Sequence, residues 1–184
     1  MNRKTLNINK HLYPKMLFLI SICLSIVLSA YISSENTPGG YSSSPTDDKN
    51  CSSCHKAKAK ALDGIISSNC ENSTYVPLKT YTITLKLKGN DKSKRFGFQV
   101  SPQTATGKLQ GKLVVTDALQ TKLASAKYIN QTAKGADGIG EKKWTFDWVA
   151  PAKGSGSVTF YGSFVIGGKP ETVYNSTLLL NEKK

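Results

Sequence analysis

The chain has 184 residues, 39% of them hydrophobic, with 25 Lys+Arg against 12 Asp+Glu and a formal net charge of +13. That length accommodates an N-terminal leader and one domain of ordinary size. The positive charge favours anionic partners, although a solvated lysine-rich surface is the more ordinary reading; the lysines are scattered and Arg95 is the only arginine beyond the leader, which argues against nucleic acid as the target.

Residues 1–33 read as a leader. Arg3, Lys4, Lys10 and Lys15 form a basic start without an acid, and Met16 to Ile32 is a nearly unbroken apolar run. Small residues at Ser29, Ala30, Ser33 and Ser34 offer cleavage points, so a removable secretory signal is expected. The alternative is an uncleaved anchor, the only expected route to a membrane; the run is shorter than the roughly 20 residues that span a bilayer comfortably. Cys23 follows Ile22 rather than the small residue of a lipoprotein signal, so no lipid anchor is expected. Without the four leader cations, 21 basic residues face 12 acidic ones, a net +9.

Residues 34–50, rich in Ser, Gly, Pro, Asn and Asp, read as an extended linker. Residues 51–75 begin with Cys51-Ser52-Ser53-Cys54-His55 and continue into Lys56–Leu62, whose Ala and Lys residues favour one or two helical turns ended by Asp63-Gly64. From Val76 the pattern changes to period two. Tyr81, Ile83, Leu85 and Leu87 alternate with Thr and Lys, which predicts a strand with one buried face. Phe96, Phe98 and Val100 mark a second strand, Leu113–Val115 a third and Lys127–Gln131 a fourth. Trp144, Phe146 and Trp148 alternate in the clearest strand of the chain, Val158 and Phe160 begin the next, and a last one falls within Glu171–Leu180. About seven short strands separated by Gly, Pro and Asn turns predict an all-β fold: an antiparallel β-sandwich over residues 76–182, with an N-terminal haem-binding loop and short helix in front of it. The alternating aromatics are expected in its core.

The motif Cys51-Ser52-Ser53-Cys54-His55 carries the chemical expectation. Two thiols separated by two residues can reach the two vinyl groups on one porphyrin edge, and the following imidazole can bind iron. On this reading Cys51 and Cys54 are thioether residues of one covalent haem c and His55 is its proximal iron ligand. His11, Met1 and Met16 all lie in the leader, so no second His or Met ligand remains. The sixth position would then be open, or filled by water, a lysine of Lys56, Lys58 and Lys60, a tyrosine, Cys70 or another chain; those lysines more naturally offset the haem propionates. Three other readings stay open: a disulfide involving Cys70, a zinc site built from Cys51, Cys54, Cys70 and His55, and a thioredoxin-like dithiol, which lacks its βαβ setting. With His55 committed, no histidine is left for a nucleophile–base pair, and the acids are dispersed, so enzymatic catalysis is not expected. Asp47-Asp48 reads as solvated rather than as a calcium site.

Several segments together resemble a known family. Gly39–Asp47 followed by Cys51–His55 is similar to the N-terminal signature of the Reeler-like, choice-of-anchor V domains of exported bacterial proteins. Tyr75–Pro77, Thr80–Thr84, Phe96–Val100, Trp144–Trp148 and Gly156–Tyr161 occur in that family's order. The resemblance covers about residues 39–180. It implies a β-sandwich displayed outside the cytoplasm, periplasmic or at the cell surface, with a haem-attachment motif near its start. Many members carry a further C-terminal sorting segment; this sequence closes with the sandwich, so attachment by that route is not expected.

The sequence thus leads to an exported monohaem c-type cytochrome-like protein passing single electrons, with an acidic redox protein as its partner. The alternative is a non-redox extracellular binding or adhesion sandwich whose cysteines form a structural disulfide.

Overall fold

The computed structural model describes residues 37–184; the expected leader lies outside the described residues. Two β-sheets pack face to face. The larger has the strand order β1 (Ala59–Ala61), β11 (Thr172–Glu182), β10 (Val158–Gly167), β5 (Arg95–Gln103), β8 (Tyr128–Gln131), β7 (Thr121–Ser125), with β3 (Thr74–Tyr75) also on β11. The smaller has the order β2 (Ile66–Ser68), β4 (Thr80–Lys88), β9 (Glu141–Val149), β6 (Lys112–Val114). The fold is therefore the all-β sandwich that the alternation predicts. All seven expected strands are present. The additional ones, β1, β2, β3 and β7, have two to five residues each and are too short to show a period.

The inner faces follow from the period of two. Tyr81, Ile83, Leu85 and Leu87 of β4 are buried, as are Trp144, Phe146 and Trp148 of β9. In the register of that pair Tyr81 lies opposite Trp148, Ile83 opposite Phe146 and Leu85 opposite Trp144. Phe96, Phe98 and Val100 of β5, with Val158, Phe160 and Phe164 of β10, face them from the other sheet. Trp148 meets Tyr75 and Phe160 edge to face, with centroids 5.3 and 5.2 Å away, and Phe98 lies 4.8 Å from Trp144. Each such pair adds about 0.5–1.5 kcal/mol beyond area burial. Both indoles satisfy their N–H groups on carbonyls, Trp144 on Gly135 at 2.7 Å and Trp148 on Gln110 at 2.9 Å, so neither leaves a buried donor unpaired.

Two segments differ from expectation. Lys56–Leu62 does not form the expected short helix: Ala59, Lys60 and Ala61 pair in parallel with Val173, Tyr174 and Asn175, and Leu62 N–H continues onto the Asn175 carbonyl at 3.0 Å. A one- or two-turn helix fixes many dihedrals for few hydrogen bonds, whereas the free edge of β11 offers partners already in place. The segment expected as a linker lies over the outer face of the larger sheet. That face of β5 and β8 is polar, yet Gln99, Ser101, Gln103 and Asn130 are almost wholly buried beneath residues 37–50. Gln99 accepts Tyr41 N–H at 2.5 Å and donates to Pro38 O at 2.8 Å; Asn130 Nδ2 donates to Thr37 O at 2.9 Å. This segment, the strap, delivers the chain to Cys51, which sits on Ser163 of the interior strand β10.

Candidate functional site

The Cys51–His55 motif forms a single 3-10 turn. Asn50 caps it, accepting Ser52 N–H on Oδ1 at 2.8 Å, and His55 N–H closes onto the Cys51 carbonyl at 3.0 Å. Cys51 N–H donates to Ser163 Oγ on β10 at 2.9 Å, which fastens the turn to the sheet. Burial pushes the Cys51 thiol up to about 11, partly offset by its hydrogen bond with Ser163. Cys54, three residues on, is exposed. His55 Nδ1 lies 3.2 Å from Glu171 Oε1, both side chains being about two-fifths exposed.

Beyond His55 a cleft of about 590 Å³ opens between Lys56, Ala57, Lys58 and Lys60 on one side and Gly168, Lys169, Pro170, Glu171 and Thr172 on the other. The second wall is the β10–β11 turn. The parallel pairing of β1 with β11 sets the two walls side by side. Four lysines thus line the cleft with one carboxylate, and that carboxylate already faces His55. The sequence points to Lys56, Lys58 and Lys60 but not to Lys169 or Glu171. These two lie more than a hundred positions away, and their only local signal is the turn composition of Gly167-Gly168-Lys169-Pro170.

Cys70 does not join the motif. It packs half-buried against the core, and its N–H donates to Ser68 Oγ at 3.3 Å. Cys51, Cys54 and Cys70 are all free thiols, so the cysteine staple is not formed. Among the described residues no three or more His, Cys, Asp or Glu side chains gather to hold a metal ion.

A family model described as the Reeler domain matches residues 49–169. The chain belongs to the Reeler domain family. Solved structures agree in fold: the reelin-N domain of F-spondin (TM-score 0.54, 17% identity, covering 70% of this chain and 93% of that one) and the human F-spondin reeler domain (TM-score 0.53, 16% identity, 69% and 94%). A second fragment of the human domain superposes with a TM-score of 0.50 at 20% identity, covering 67% and 96%. No match to a curated protein sequence was found.

The Reeler assignment and the geometry together correct the haem expectation. Covalent haem c needs both sulfurs presented to one porphyrin edge, with one imidazole nitrogen free to face the iron. Here the Cys51 thiol is buried against Ser163 of β10 while Cys54 faces solvent, so the two sulfurs are not presented to one edge; Glu171 occupies only Nδ1 of His55 and does not bear on that presentation. The adjacent cleft is walled by lysines and the β10–β11 turn, with neither cysteine lining it. The residues do not fit the group, so the readings of haem c, iron binding and single-electron transfer do not hold for this Reeler domain. The comparisons support the non-redox binding sandwich instead.

Proposed function

We propose that this Reeler domain is an exported, non-enzymatic binding module whose lysine-lined cleft docks acidic partners. The observation that carries the reading is the convergence of Lys56, Lys58, Lys60 and Lys169 on one cleft whose only carboxylate is partnered by His55. Neighbouring like charges raise the local potential, which speeds encounter with an acidic surface and orients it. The basic, apolar leader supports export, and no helix among the described residues is long and apolar enough to cross a membrane. The fold supports a binding role, since both tryptophans and most phenylalanines are spent on the core and the cleft presents charged side chains.

Fluorescent polyglutamate is a suitable probe. Its affinity is expected to fall as salt rises and to drop at least tenfold in Lys58→Glu/Lys60→Glu. The control Lys112→Glu/Lys153→Glu carries the same charge change away from the cleft and is expected to lose much less. Equal losses in the two double variants would reduce the effect to net charge and remove the cleft from the account.

A further inference from the structure

The strap is held in a way that differs from the rest of the molecule. No residue of 37–50 belongs to the apolar core. Gln99 and Asn130 grip it only by main-chain atoms: the carbonyls of Thr37 and Pro38 and the N–H of Tyr41. Gln99 Nε2 also donates to Asn130 Oδ1 at 3.0 Å, which fixes the two amides as one unit. A fully buried glutamine and asparagine aimed at a peptide backbone form a built peptide-reading floor. Because the floor beneath Gln99 and Asn130 is polar, water can replace the strap there, and the Tyr128 ring is the apolar group uncovered.

Two further contacts depend on side chains. Gly39 lies against the Tyr128 ring, where a Cβ would sit 2.5 Å from Cδ2. Eight residues on, Asp47 Oδ1 accepts the Tyr128 hydroxyl at 2.5 Å. An arbitrary extended peptide lacks a residue without a side chain at the first position and an acid at the second; the strap has both. We infer that the outer face of β5 and β8 is a peptide groove occupied in cis by the strap, and that it accepts the same segment, Thr37–Asn50, from a second copy of this chain. This site is separate from the lysine cleft and does not rest on its role.

The test uses the folded chain with a fluorescein-labelled peptide of residues 37–50. Asp47→Ala and Gly39→Ala in the protein weaken the resident strap and leave the floor intact. Peptide affinity, read by anisotropy, is expected to rise at least tenfold in each over the wild type. Gln99→Ala added to either is expected to abolish the gain, and a peptide carrying Gly39→Ala is expected not to compete. Equal peptide affinity in wild type and a folded strap variant, or indifference to Gln99→Ala, overturns the inference. If both strap variants fail to fold, native mass spectrometry of the wild type with millimolar peptide decides: a one-to-one complex supports the groove and its absence overturns it.

Discussion

Asp47 is the residue on which the strap closes, and replacing it by alanine measures that closure. Its carboxylate accepts Ser42 N–H at 3.1 Å, Ser42 Oγ–H at 2.5 Å and the Tyr128 hydroxyl at 2.5 Å. Ser42 is fully buried and Tyr128 is 8% exposed. Asp47→Ala therefore strands two buried hydroxyls and one N–H. Each orphaned buried group costs about 1–3 kcal/mol, discounted where water enters, so a loss of about 3 kcal/mol is expected. For a domain of about 150 residues that corresponds to roughly 6–12 °C in Tm. The pH dependence has a definite sign. Burial raises the Asp47 pKa, but the hydrogen bonds from Ser42, Tyr128 and Ser44 outweigh it and hold the carboxyl below the ordinary aspartate value. A lowered folded-state pKa gives stability that is complete above the unfolded value of about 3.9 and is lost as pH falls through the folded value. The Tyr128 phenol is pushed upward, first by burial and then by the Asp47 hydrogen bond and charge. Its contribution is complete below about pH 10 and is lost as pH rises beyond that. Urea midpoints at pH 7, 5, 4 and 3 are expected to show a wild-type advantage that shrinks at the acid end. A variant within 0.5 kcal/mol of wild type at neutral pH, or one with an identical acid limb, would refute the reasoning.

The other expectations concern the core and the cysteines. Trp148→Ala removes two edge-to-face contacts and the bond to the Gln110 carbonyl, and is expected to cost about 3–5 kcal/mol in denaturant unfolding; a cost under 1 kcal/mol would mean that the site collapses without a cavity. Gly135→Ala would place a Cβ 1.9 Å from the Gln120 carbonyl oxygen and displace the Gly135 carbonyl that binds the Trp144 indole; a loss of about 1–3 kcal/mol is expected, together with altered tryptophan emission, and unchanged emission would argue against the displacement. At pH 8 an alkylating reagent is expected to modify Cys54 at least tenfold faster than Cys51, because burial lifts the Cys51 thiol to about 11 and only the thiolate reacts. Equal rates in peptide mass mapping would mean that the Cys51 sulfur is not turned into the sheet.

The architecture was legible where side chains alternate over several residues. Tyr81 to Leu87 and Trp144 to Trp148 announce one buried face each, and those faces lie side by side as one inner surface of the smaller sheet. The short strands were not legible, since β1 consists of Ala59–Ala61 and owes its conformation to the open edge of β11 rather than to its own preference. The strap shows the same limit from the other direction. Its Gly, Ser and Pro composition has the form of a linker, and what orders it is a set of amides on β5 and β8 whose placement no local pattern reveals.

Cys51–His55 is the most instructive case. The spacing of its residues states which groups are near one another in sequence, and covalent haem attachment requires more than nearness: both sulfurs must be presented on the same side. Ser163 of β10 decides that condition by fastening the Cys51 end of the turn to the sheet. It holds Cys51 against the sheet while Cys54 stays exposed, and the turn that leads into β11 supplies Lys169 and Glu171 to the neighbouring cleft. The segment that carries the motif continues directly into one wall of the cleft through Lys56, Lys58 and Lys60, so the seat of Cys51 on the sheet and the pairing of β1 with β11 together set where those lysines lie.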